Sequence, residues 1–99
     1  MARLYLSIPG LGYQVELTHK ADIIPSVGDR ISVEAKYLGR FSRRLLEQTP
    51  AYHCFERNEK TEHVSMAEYL TECVITVSGK TWSYENGISS CTLEVEFEY

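Results

Sequence analysis

The sequence lacks the features that mark several large classes of protein. No apolar run approaches the roughly 20 residues that a membrane-spanning helix needs, so no membrane segment is expected. The opening residues Met1 to Tyr5 have neither the apolar stretch nor the cleavage pattern of a secretory signal, which predicts a cytoplasmic protein. The 43% hydrophobic content excludes a disordered tail, and a length of 99 residues predicts one domain, 1–99.

Cysteine is too sparse and too irregularly spaced for a disulfide framework or a structural zinc site. The three cysteines are Cys54, Cys73 and Cys91. An odd number at irregular spacing predicts reduced thiols. A metal site would have to combine His53, Cys54 and His63 with His19 or Cys73, and none of these form a closely spaced C-x-x-C or H-x-x-x-H pair. We therefore predict no metal and no cofactor.

Catalytic motifs are also missing. The chain has no phosphate-binding loop, no G-x-G-x-x-G and no G-x-S-x-G. His53 and Cys54 are adjacent, but in a strand they would point to opposite faces and could not pair. A cysteine-dependent enzyme would need Cys54 to meet His63 or His19 in space, and we keep it as an alternative. We predict no catalytic residues and no enzymatic activity.

Positive charge is scarce and unevenly placed. The formal net charge is −4, with seven basic and five acidic residues in 1–50 and three basic and nine acidic residues in 51–99. Nucleic-acid binding usually requires a basic surface, so general binding of this kind is not expected. Glu94, Glu96 and Glu98 alternate along the last strand and predict either a solvated face or an acidic contact stripe.

The most informative positive feature is the last segment of the chain. Asn86-Gly87 lies between two alternating apolar runs, which predicts a β-hairpin with a type I′ turn and Glu85 opposite Ile88. This register places Trp82 opposite Cys91, on the apolar face of the outgoing strand, and Trp82 and Tyr84 share one parity. The apolar positions of the incoming run change parity near Ser78-Gly79. A β-bulge with Gly79 as the extra residue would restore the apolar pairs beyond it.

The first half of the chain also alternates. Apolar residues at every second position in 3–8 and 13–17 predict a second hairpin that turns at 9–12. The second of its strands is expected to continue through residues 19–24. A further strand is predicted over 30–37, with its apolar side chains on one face.

Residues from about 40 to 71 read as a partly helical insertion. Residues 41–48 predict two helical turns, 51–57 a short strand and 58–62 a solvated loop. Ser65 and Glu68 have the spacing of a capping box, which predicts a short helix from Met66 to about Leu70.

The run Pro25-x-Val27-Gly28-Asp29-x-Ile31, followed by a strand and later by a terminal hairpin, resembles a pattern in small bacterial and phage proteins. Those proteins resemble SH3-like β-barrels, so the resemblance implies a fold class and no activity. We predict a mainly β fold, either a small antiparallel barrel or a curved sheet of five to six strands, with the insertion at about 40–71.

The predicted function is a non-enzymatic binding protein, encoded by a phage or mobile element, that contacts another protein or assembles into a homo-oligomer. Seven tyrosines favour this interpretation because tyrosine is enriched at interfaces. The predicted contact residues are Arg40, Phe41, Arg43, Arg44 and Tyr52. In the alternative interpretation Arg40, Arg43 and Arg44 hold an anionic metabolite or nucleotide, because guanidinium groups suit phosphates and carboxylates. In a third, Phe41 and Leu45 pack on the sheet while the arginines stay in solvent.

Overall fold

The protein is built around a curled, mixed sheet of five strands in the order β2-β1-β5-β4-β3. The computed structural model describes residues 2–18 and 24–97. The strands are β1 (Arg3–Ser7), β2 (Gln14–Leu17), β3 (Arg30–Ile31), β4 (Ile75–Glu85) and β5 (Ile88–Phe97). The helices are α1 (Arg40–Gln48), α2 (Glu59–Glu62) and α3 (Met66–Glu72), with single 3-10 turns at Ala35–Tyr37 and Ala51–His53.

The fold is mainly β as predicted, but its sheet is not purely antiparallel. β1 runs parallel to β5, with Leu4 beside Cys91 and Leu6 beside Leu93. No turn joins these two strands, because they lie at opposite ends of the chain. Their apolar faces bring them together in the core, and nothing in the local sequence sets their relative direction.

The terminal hairpin confirms the predicted turn and register. Asn86 and Gly87 both have positive φ, at 52° and 74°, as a type I′ turn requires. Glu85 pairs with Ile88, and Trp82 pairs with Cys91. Asparagine and glycine are the residues that adopt this conformation with least strain, so the turn fixes the register of both strands.

The predicted bulge is present, but its extra residue is Ser78 instead of Gly79. Gly79 pairs with Glu94, and the ladder resumes at Val77 opposite Val95. The Ser78 hydroxyl donates a hydrogen bond to the Glu94 carbonyl oxygen (Oγ···O 3.2 Å), which gives the extra residue a polar partner. The apolar pairs beyond the bulge are therefore restored as predicted.

The first hairpin is confirmed, with Leu4 opposite Leu17 and Leu6 opposite Val15. The predicted continuation of its second strand through 19–24 falls mainly on residues 19–23, which lie outside the described residues. The free side of β2 is covered by the chain that leads into α1. The Glu16 N–H donates to Ser42 Oγ (N···O 2.9 Å), and the Gly39 N–H donates to the Glu16 carbonyl (N···O 2.7 Å).

The predicted strand over 30–37 is wrong beyond its first two residues. Arg30 pairs with Thr76 and Ile31 pairs with Ile75, where β4 begins. A longer β3 would need partners earlier than Ile75, but the chain there is the end of α3, which is capped at Cys73. The chain therefore leaves the sheet and forms the 3-10 turn at Ala35–Tyr37.

The insertion is more helical than predicted. The expected strand at 51–57 is instead a 3-10 turn that starts after Pro50. The expected loop at 58–62 contains α2, because Asn58 accepts from the Thr61 N–H while the Thr61 hydroxyl accepts from the Asn58 N–H. The helix predicted after Ser65 is confirmed as α3, and Ser65 accepts from the Glu68 N–H (N···O 3.2 Å).

The insertion also supplies part of the hydrophobic core. Its fully buried apolar side chains are Leu46, Ala51, Met66 and Leu70. They belong to the same cluster as Leu6, Ile75 and Leu93 of the sheet. None of the described helices is long and apolar enough to span a membrane, since the longest has nine residues.

Candidate functional site

The predicted arginine cluster lies on the outer face of α1. One residue advances a helix by about 100°, so Ser42 and Leu46 face the core and Arg40 and Arg44 face solvent. Phe41 lies on the same outer side and is 74% exposed. The interpretation in which Phe41 packs on the sheet is therefore wrong.

The charges on α1 are placed against the helix dipole. Its first turn has no acidic residue, and Gly39 at its N-cap offers no side chain. Arg43 pairs with Glu47 (Nε···Oε1 3.1 Å), but Arg40 and Arg44 make no ion pair within the described part of the chain. A cation near the positive end of a helix is unfavourable by about 0.3–1 kcal/mol at low salt. The charge of Arg40, in the first turn, therefore does not stabilise the helix in which it lies.

Tyr52 does not join this cluster. Its ring is covered by Arg57, whose guanidinium carbon lies 4.6 Å from the ring centroid. Arg57 also pairs with Glu62 (Nη2···Oε1 2.9 Å). Among the described residues no hydrogen bond, ion pair or ring contact links Tyr52 to Arg40, Arg43 or Arg44, so these predicted contact residues do not form one bonded cluster.

Three shallow clefts lie around the aromatic side chains Phe55, Tyr69 and Phe97, and their volumes are about 470, 360 and 310 Å³. The largest contains Arg30 and Lys60 but also Glu72, so its charge is mixed. None of the three is lined by Arg40, Arg43 or Arg44. The anionic-ligand alternative at those arginines stays a prediction, which a thermal-shift screen with nucleotides would test.

The cysteines are separate free thiols. Cys73 and Cys91 are buried and Cys54 is half-buried. Burial raises the pKa of all three thiols; at Cys73, Lys60 counteracts this and Glu72 adds to it. Within residues 2–18 and 24–97, no group of three His, Cys, Asp or Glu side chains is placed to hold a metal ion.

We expect iodoacetamide to modify these thiols slowly near neutral pH, because the thiolate is the reactive form and burial disfavours it. Cys54 should react before Cys91, which is fully buried. Their folded-state pKa values lie above those of the unfolded chain. Keeping these thiols protonated therefore contributes to the free energy of unfolding. That contribution is complete below the unfolded thiol pKa of about 8.5 and is lost as pH rises through the folded pKa values. Mass spectrometry measures the rate of labelling, and urea unfolding between neutral and alkaline pH measures the change in stability. Labelling of Cys54 as fast as a free thiol would contradict the first expectation.

An exposed aromatic surface that sequence reasoning missed lies on the distal half of the terminal hairpin. Trp82 and Tyr84 are 42% and 75% exposed, and their rings stack with centroids 6.3 Å apart and planes 11° apart. Both lie on the face of the sheet that carries the core, since Trp82 pairs with the buried Cys91. The core ends before it reaches them.

This surface is exposed because the neighbouring strands are short. β1 pairs with β5 only from Ser90 to Glu94, and β3 pairs with β4 only at Ile75 and Thr76. The distal ends of β4 and β5 therefore project beyond the rest of the sheet. The register predicted from the sequence placed Trp82 opposite Cys91, but it could not show how far the other strands would reach.

The same projection leaves one edge of β4 open. Glu85 and Ile88 close a two-residue turn and are a hydrogen-bonded pair. Successive residues of a strand point their backbone groups alternately toward and away from the partner strand. Since Glu85 points toward β5, the backbone groups of Lys80, Trp82 and Tyr84 point away from it.

Val77 also points away from β5, but its backbone is paired. Its N–H donates to Asp29 O (N···O 2.9 Å), and its carbonyl accepts from the Gly28 N–H (N···O 2.8 Å). From Lys80 to Tyr84, no backbone group elsewhere in the described chain pairs with this edge.

Comparisons of this chain with protein-family models, with curated proteins and with solved structures find no match. Its class is therefore defined by its own geometry: a mainly β protein with a curled mixed sheet, a helical layer and a projecting aromatic hairpin.

Proposed function

We propose that this protein is a non-enzymatic binding protein that contacts a protein partner, or another copy of itself, through the distal half of its terminal hairpin. The observation that carries this proposal is the exposed stack of Trp82 and Tyr84 beside an open strand edge. Tryptophan and tyrosine are enriched among the residues that dominate binding energy at interfaces. An unpaired edge adds backbone donors and acceptors that a strand of the partner can satisfy.

The outer face of α1 is the second proposed contact surface. Arg40 and Arg44 make no ion pair within the described chain, and Phe41 beside them is largely exposed. Such a surface suits an acidic partner, because guanidinium groups pair bidentately with carboxylates. Of the other predicted contact residues, Arg43 is engaged by Glu47 and Tyr52 by Arg57.

An SH3-like identity belongs to the same proposal, at the level of fold alone. The segment from Pro25 to Ile31 turns at Gly28, where φ is +96°, and leads into β3. The Asp29 carboxylate accepts from the Ser26 N–H (N···Oδ2 2.8 Å), which holds this turn. This geometry is compatible with the resemblance noted for the motif.

Affinity capture from a lysate of the source organism, read by mass spectrometry, tests the proposal. We expect partners of the wild-type chain to be lost when Trp82→Ser and Tyr84→Ser are combined. Arg40→Ser with Arg44→Ser tests the second surface. Val74→Ser is the control, because Val74 is exposed and precedes β4 at the end far from Trp82 and Tyr84. Circular dichroism would show that each variant folds. If the combined hairpin variant captures everything that the wild type does, the proposed function is wrong.

A further inference from the structure

We propose that the open edge of β4 binds the same edge of a second copy, so that two chains form one continuous antiparallel sheet about a two-fold axis at Trp82. This inference rests on the proposed function of the hairpin and names its partner. A two-fold contact requires a surface that is complementary to itself. The segment from Lys80 to Tyr84 meets that requirement.

The register follows from the direction of the backbone groups. Residues that face each other across the new pair must both turn their N–H and C=O groups toward the partner. The unpaired residues that do so are Lys80, Trp82 and Tyr84, which are symmetric about Trp82. With the axis at Trp82, each Trp82 lies opposite its own copy, and each Lys80 lies opposite Tyr84 of the second copy. All the available backbone groups of this edge are then paired.

Neighbouring registers are poorer for reasons visible in β4. An axis at Ser83 would place Lys80 opposite Asn86, which lies in the turn with φ of 52° and cannot continue a ladder. An axis at Thr81 would place Tyr84 opposite Ser78, the extra residue of the bulge. Only the axis at Trp82 keeps both ends of the pairing in regular strand.

The charges favour a second copy as the occupant. Lys80 is the only charged residue from Ile75 to Tyr84, and its ammonium donates to the Pro25 carbonyl oxygen of its own chain (Nζ···O 3.5 Å). Pairing at Trp82 places Lys80 opposite Tyr84 of the second copy instead of opposite another cation. On the opposite face, Glu85 lies across from Gly79 of the second copy, so no two like charges meet. Each Trp82 and Tyr84 ring would also gain an aromatic neighbour.

The two edges of the sheet differ in their protection. The free side of β2 is hydrogen-bonded by Gly39 and Ser42. β4 between Lys80 and Tyr84 contains no proline and has no backbone hydrogen-bond partner beyond β5 among the described residues, although the Lys80 side chain reaches the Pro25 carbonyl oxygen. Exposed edges of this kind readily pair with other strands. The contact is small, in the range below about 1,200 Å² that is typical of weak complexes, so the dimer should form and dissociate reversibly.

Sedimentation velocity over a wide concentration range measures this dimer with the full chain. The chain has one tryptophan, so Trp82 fluorescence reports directly on the proposed axis. We expect a concentration-dependent shift from monomer to dimer, accompanied by a blue shift of the tryptophan emission.

Two substitutions test the register. Tyr84→Lys places a lysine opposite Lys80 of the second copy, twice per dimer, and should weaken the dimer about tenfold. Adding Lys80→Glu makes the same two positions oppositely charged and should restore most of the affinity. Val74→Lys introduces the same charge just before β4, at the end of the strand far from Tyr84, and should leave the dimer unchanged because Val74 is exposed there. Circular dichroism confirms folding, and Tyr84 is exposed enough to accept lysine.

Each other outcome overturns the inference in a distinct way. A chain that stays monomeric at every concentration refutes the dimer, and if it still captures a partner through Trp82 and Tyr84, the proposed function stands without it. A dimer that Tyr84→Lys does not weaken lies on another surface. A dimer weakened by Tyr84→Lys but not restored by Lys80→Glu is not paired about Trp82.

Discussion

Replacing Leu70 with alanine is expected to lower the free energy of unfolding by about 2–5 kcal/mol. Leu70 lies in α3 and is fully buried in the cluster that also contains Leu6 and Leu93 of the sheet. Alanine would lose the transfer free energy of the removed carbons and would leave a cavity that a packed core closes only in part. Domains of this size are stable by about 5–15 kcal/mol in total, so the loss would be a large fraction. Urea unfolding followed by circular dichroism measures it.

The matched control is Leu45→Ala in α1, which removes the same atoms from a half-buried position. It should cost clearly less than Leu70→Ala, because less surface returns to water and no closed cavity forms. Equal, small losses at both positions would mean that residues 40–71 rest loosely on the sheet. A large loss at Leu70 alone would show that the insertion is packed tightly into the core of the sheet.

Features that depend on neighbouring residues could be predicted from the sequence. The Asn86-Gly87 turn, the alternation of β1 and β2 and the Ser65 cap each combine a local conformational preference with a short apolar pattern. The bulge was located to within one residue because the parity of the apolar positions changes there. α2 was missed although Asn58 and Thr61 form its capping box, because that pair also suits a loop.

Features that depend on distant contacts could not be predicted. The parallel pairing of β1 with β5 and the early end of β3 are decided by which segments compete for the same edge. The outward position of Phe41 is decided by which face of α1 meets the core. In the same way, the sequence placed Trp82 and Tyr84 on an apolar face, but their exposure depends on where the other strands stop. The pairing of this strand was therefore predicted correctly, but the exposure that makes it a candidate surface was not.

Replacing Gly87 with valine is expected to lower the free energy of unfolding by about 1–3 kcal/mol and to loosen the distal half of the hairpin. Gly87 has φ of +74°, a conformation that β-branched residues adopt only with strain. A Cβ atom at this position would meet no heavy atom within 4 Å, so the cost is conformational and not steric crowding by neighbours. Urea unfolding gives the loss, and amide exchange of β4 and β5 shows where it acts.

A series of substitutions at Gly87 distinguishes backbone strain at positive φ from destabilisation of the turn by any side chain at this position. Asparagine tolerates positive φ better than other non-glycine residues, so Gly87→Asn should cost least, Gly87→Ala more and Gly87→Val most. Similar losses for asparagine and valine would contradict the conformational explanation.

The affinity of the proposed dimer should fall in the same order, because Lys80, Trp82 and Tyr84 can align with a second copy only while the turn holds β4 straight beside β5. If the series lost stability in this order but every variant bound its partner as well as the wild type, binding would not depend on the geometry of this turn.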